Sequence, residues 1–103
     1  MTVLDHLREL VQRLADDGNT SAMTVSHGNA WSVYFTDPEG NGLECFIDSP
    51  FHVAQPYVEL LDLSASDADI EAATKAKLEP LPEFKPFAEW RAEMAARLAD
   101  RAD

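Results

Sequence analysis

Three side chains between His27 and Glu44 have the chemistry of a site: an imidazole, a phenol and a carboxylate. Trp31, Val33 and Phe35 alternate with Ser32, Tyr34 and Thr36, which is the period of a strand. The residues Asp37-Pro38-Glu39-Gly40-Asn41 make a turn. Asp37 can bond nearby backbone, Pro38 presets the first corner, and Gly40 accepts positive φ. The returning strand puts Leu43, Cys45 and Ile47 on one face, and Glu44 and Phe46 on the other. A three-residue type I loop closed by a glycine bulge sets Asp37 against Asn41, Thr36 against Gly42 and Tyr34 against Glu44. Tyr34 and Glu44 are then neighbours on one face, with Phe46 beside them. A carboxylate among aromatic rings must be paired, protonated or bound to a metal. The plainer alternative is a solvated residue on the wet face of an edge strand. Tyr34 on its own is also an ordinary packing residue of a strand. His27 precedes a Gly28-Asn29 turn. An imidazole there suits proton transfer near neutral pH, or simply a backbone hydrogen bond.

The elements that must position these groups follow from periodicity. Leu4, Leu7, Leu10, Val11 and Leu14 fall on one helical stripe, and Gly18 follows as a stop. Ala22, Met23 and Val25 give a short strand signal. Beyond Ile47, the stretch DSPFHVAQPYVELLDL holds two prolines and reads as an extended arm rather than a sheet strand. Ser66, three before Asp69, opens a helix of good helix formers. Pro80, Pro82 and Pro86 then break the chain, and a last helix starts near Pro86 with Phe87, Trp90, Met94 and Leu98 as its apolar stripe. The fold class is α+β. Residues 1–48 form a helix and a three-stranded antiparallel sheet; residues 49–103 form an arm and two helices packing on it.

Composition narrows the partners. The chain has 103 residues, enough for one modest core. Eight Lys and Arg are scattered among 19 acids, for a net charge of -11, which argues against nucleic acid and anionic membrane. There is no apolar run of bilayer length and no signal-peptide pattern, so the expected location is cytoplasmic. The single cysteine, Cys45, makes no internal disulfide or zinc cluster. Pointing with Leu43 and Ile47, it reads as a buried apolar side chain. His6 reads as an exposed helix residue and His52 as an ordinary residue of the arm.

The stretch HGNAWSVYFTDPEGNGLECF resembles the last hairpin of a vicinal oxygen chelate module, the fold of glyoxalases, bleomycin-resistance proteins and extradiol dioxygenases. The features are a His-Gly start, W-S-x-Y-F on a strand, a D-P-E-G-N turn, and then a glutamate. The arm, the helix, the proline-rich break and the Glu89-Trp90 pair also resemble the branch related to biphenyl-2,3-diol 1,2-dioxygenase, so the likeness runs from about Gly18 onward. It implies a β-α-β-β-β module, two of which close around a divalent metal. It also implies that Glu44 is a metal ligand for Fe(II) or Mn(II), that Tyr34 bonds the substrate side, and that His27 moves protons. The family's other ligands are usually histidines on the first strand of each module. This chain starts at the module's helix, so the expected fold is a truncated module lacking its first strand, with a helical C-terminal tail. "LDHL" around His6 imitates the ligand motif but runs straight into the helix.

Two functions follow. One is Fe(II)-dependent ring cleavage of a small aromatic, catechol-type diol, with His27 and Tyr34 catalytic and Glu44 on the metal. The other is a non-catalytic truncated module acting as a homodimeric or small-molecule-binding scaffold. Without a first strand the sheet keeps an unpaired edge and an open face, which two-fold pairing would cover.

Overall fold

A computed structural model describes residues 1–101. The first helix, α1 (Val3–Asp16), begins at a capping box. Thr2 Oγ1 accepts from the Asp5 amide at 3.2 Å, and the Thr2 amide donates to the Asp5 carboxylate at 2.9 Å. Gly18, at φ 79°, ends it as the sequence predicts. Three strands follow: β1 (Met23–Ser26), β2 (Ala30–Thr36) and β3 (Gly42–Asp48). The β2–β3 register is the expected one, with Thr36 against Gly42 and Tyr34 against Glu44. Asp37 holds the turn by accepting from the amides of Glu39 and Asn41 at 2.9 and 2.8 Å.

The arm departs from expectation. Residues 51–52 form a short strand, β4 (Phe51–His52). Residues 59–60 form β5 (Glu59–Leu60), which pairs antiparallel with β1. The sheet is therefore four-stranded, in the order β3-β2-β1-β5, not three-stranded. Two residues are too few to show a strand period. The pairing is fixed instead by the adjacent chain, where the Leu61 amide donates to the Thr24 carbonyl at 3.1 Å. Next come α2 (Asp67–Leu78), capped by Ser66, the two-residue strand β6 (Lys85–Pro86) paired with β4, and α3 (Phe87–Arg101). The architecture is α+β.

One face of the sheet carries the main core. Trp31 and Val33 of β2 meet Leu4 and Leu7 of α1, with Leu61 and Ile70 closing the cluster. Each such buried side chain contributes about 1.5–3 kcal/mol relative to exposure. Trp31 also donates through Nε1 to the Thr74 hydroxyl of α2 at 3.3 Å. Ile70, Thr74 and Leu78 lie one turn apart on the buried side of α2. Leu78 joins a second cluster with Phe51 and Val53. Arg8 ties α1 to the start of α2. Its guanidinium reaches Asp67 at 2.6 Å, Asp5 at 2.9 Å, and the carbonyls of Leu63 and Ala65, each at 2.9 Å.

Two expectations about burial are corrected. Cys45 is exposed. It shares the core-side face with Val33, but β3 is the sheet's edge, and of its seven residues only Ile47 is partly covered. The last helix packs only through its first half. The Trp90 ring stacks on His52 at a centroid distance of 4.7 Å, Phe87 lies 5.7 Å from Trp90, and Lys85 pairs with Glu93 at 2.7 Å. Leu98, expected on the same packed stripe, is 66% exposed. It falls two turns past the last ring contact.

Candidate functional site

Among the described residues, no helix covers the other face of the sheet. Met23, Tyr34 and Glu44 share one row across it, and Val25, Ser32, Phe46 and Leu60 the next. The Gly28 turn delivers His27 to this face. The structure thus brings together all three side chains singled out in the sequence, with Ser32 among them.

The geometry is specific. His27 Nε2 lies 2.7 Å from the Tyr34 hydroxyl, and Nδ1 lies 3.1 Å from the Tyr57 carbonyl. Ser32 donates to Glu44 Oε2 at 2.8 Å, and the same oxygen is 3.8 Å from His27 Nε2. A carbonyl only accepts, so the hydrogen of the neutral ring belongs on Nδ1. Nε2 then offers its lone pair to the Tyr34 hydroxyl. When His27 is protonated, Nε2–H donates to the phenol oxygen instead, which frees the phenol proton for Glu44. Hydrogen bonding to the Glu44 carboxylate raises the Tyr34 pKa above the ordinary phenol value, and loss of solvent and the nearby negative charge add to it.

Glu44 is less enclosed than the aromatic pattern predicts. Its side chain is 36% exposed, and Phe46 is 61% exposed, because this face is open. Ser32, by contrast, is fully buried and supplies the hydrogen bond the carboxylate needs. Ser32 stands in the W-S-x-Y-F stretch, but the resemblance assigns it no role. Its alternation with Tyr34 is the only sign in the sequence that it reaches this face. His6 is exposed on α1. His52 is buried against Trp90, and its Nδ1 has no hydrogen-bond partner among the described residues. Two open cavities flank Glu44. One of about 300 Å³ is lined by Met23, Tyr34 and Leu43, and another of about 280 Å³ by His27, Phe46, Asp48 and Gln55.

A divalent metal would find one hard carboxylate here. Both ring nitrogens of His27 are engaged, and among the described residues no three His, Cys, Asp or Glu side chains gather as a ligand set. The donors described do not by themselves make up a six-coordinate Fe(II) or Mn(II) site. Also among the described residues, no helix is long and apolar enough to cross a membrane. No protein-family model matches the chain, nor does any curated protein or solved structure.

Proposed function

We propose that this chain is a vicinal oxygen chelate-like module carrying one side of a site for a catechol-type diol. The reaction implied by the sequence resemblance is Fe(II)- or Mn(II)-dependent ring cleavage. Glu44 is then one metal ligand, and the remaining ligands come from outside the residues described. The observation that carries this reading is the Tyr34 hydroxyl, held 2.7 Å from His27 Nε2 on the face where Glu44 stands. That arrangement accepts a proton from a diol. The substrate hydroxyl donates to Tyr34 as Tyr34 passes its own proton to Nε2, leaving a singly deprotonated diol and an imidazolium. Glu44 next to Nε2 then stabilises the positive ring.

The test is an anaerobic NMR titration with catechol. Ring signals of His27 and Tyr34 should shift together, with a Kd on the order of 1 mM for so open a face. The response should vanish in Tyr34→Phe. No shift at either ring at saturating catechol, with and without Fe(II), contradicts the reading.

A second reading is favoured by the exposed apolar side chains of the same face, Met23, Phe46 and Leu60, at 51%, 61% and 79% exposure. Here the chain is a non-catalytic scaffold that pairs with a second copy over this face or along the β3 edge. Sedimentation equilibrium at micromolar concentration separates the two readings: a dimer supports the scaffold, and a folded monomer rejects it.

A further inference from the structure

His27 is held from behind by the arm. The Gln55 side chain donates through Nε2 to the His27 carbonyl at 2.7 Å and accepts through Oε1 from the Tyr57 amide at 3.2 Å. The Tyr57 carbonyl in turn sits 3.1 Å from His27 Nδ1. These contacts close a ring that runs from the His27 backbone through Gln55 to the Tyr57 backbone and back to the His27 imidazole. We infer that Gln55 is a positioning residue that fixes the His27 tautomer, holding the Tyr57 carbonyl where only an Nδ1–H ring can satisfy it.

Both ends of the Gln55 amide are needed. Its NH₂ group is a donor and its oxygen an acceptor, so it bridges a carbonyl and an amide at once. A carboxylate at this position keeps the acceptor and loses the donor. The Tyr57 ring helps anchor the arm by packing against the cluster of Phe51, Val53 and Leu78. Its phenol takes no part in the bridge; the backbone carbonyl does. With Nδ1–H fixed in this way, the Nε2 lone pair is directed at Tyr34, and the neutral ring is set to receive a proton. With the opposite tautomer, Nε2–H would face the phenol as a donor, and the neutral ring could not take the phenol proton. This is how a group that exchanges no proton itself governs the direction of proton transfer. A backbone carbonyl on one ring nitrogen is a general means of deciding which form the other nitrogen takes.

This inference rests on the reading of His27 as the proton-carrying group of the site, yet its test needs neither diol nor metal. Two-bond ¹H–¹⁵N correlation spectra of the histidine rings, recorded on the full chain at a pH where imidazole is neutral, report the tautomer directly. The wild-type His27 ring should be Nδ1–H. Losing the bridge should reduce that preference by roughly five- to tenfold, the worth of one ordinary hydrogen bond. Gln55→Ala should therefore show both tautomers in comparable amounts, Gln55→Glu an intermediate mixture, and Tyr57→Phe the wild-type pattern. A wild-type ring in the Nε2–H form overturns the inference even if no variant folds. So does a Gln55→Ala protein that keeps a single Nδ1–H tautomer while its unfolding midpoint drops, since that marks Gln55 as structural only. Failure of catechol to bind, with the tautomer still dependent on Gln55, removes the diol reading and leaves the positioning role standing.

Discussion

Gly28 joins the site to the second core cluster, and replacing it with alanine tests how tightly His27 is held. The residue sits at φ 78°, in the left-handed region, where an L side chain costs about 1–2 kcal/mol. A Cβ added there would lie 2.6 Å from Val53 Cγ1 and 3.1 Å from Leu78 Cδ2. Neither neighbour has solvent to move into, as Val53 is 1% and Leu78 0% exposed. Overpacking of this kind costs about 1–3 kcal/mol. Gly28→Ala should then lose roughly 2–5 kcal/mol, a large share of the 5–15 kcal/mol typical of a domain. Gly18 is the internal control: its φ is 79°, but nothing lies within 4 Å of an added Cβ. Gly18→Ala should show the backbone cost alone. Urea unfolding measures both, with the midpoint shifting while the slope stays constant. Equal losses in the two variants, or a Gly28→Ala loss under about 1 kcal/mol, would refute the close packing behind His27.

Two further outcomes follow from packing and charge. Trp90→Ala should cost about 1.5–2.5 kcal/mol in chemical denaturation, roughly half the value for a fully buried tryptophan, because its ring is only partly covered while stacked on His52. A change below about 0.5 kcal/mol would mean that α3 does not dock. Several carboxyls titrate below their ordinary values: Asp5 through the Thr2 amide and then Arg8, Asp37 through Asn41, Asp62 through Ser64, and Glu93 through Lys85. A depressed folded pKa contributes stability that is present above the unfolded value, near pH 4, and is lost as pH falls through the folded value. Thermal midpoints should therefore fall on acidification below about pH 4, and a midpoint that rises there would contradict these pairings.

The hairpin and its pairing were legible because turn chemistry is local. Asp37, Pro38 and Gly40 set the register, and the register alone places Tyr34 beside Glu44. The caps at Thr2 and Ser66 and the stop at Gly18 are local in the same sense, although only the last two stand out in the sequence. What stayed hidden depends on distant chain segments. Arg8 bonds carbonyls 55 and 57 residues away, and no periodicity signals that. β5 is two residues long, and its partner strand is more than 30 residues earlier. Cys45 follows the apolar alternation faithfully. Its exposure comes from its place on an edge strand, and edge position is a property of sheet order rather than of local sequence. The Gln55 bridge is hidden for the same reason, since its partner His27 lies 28 residues back.

The central claim is that this face supplies one metal carboxylate and a proton-accepting Tyr34–His27 pair, with the other ligands coming from elsewhere. Anaerobic calorimetric titration of Fe(II) into the chain, and into Glu44→Gln, tests it most directly. One carboxylate should bind Fe(II) only weakly, with a Kd on the order of 1 mM, and catechol should not be cleaved at a measurable rate. Glu44→Gln should fold as stably as the wild type, with Ser32 still bonded to the amide oxygen. Stoichiometric, tight Fe(II) binding that disappears in Glu44→Gln, together with catechol cleavage, would show that the chain assembles a complete centre by itself and would contradict the account.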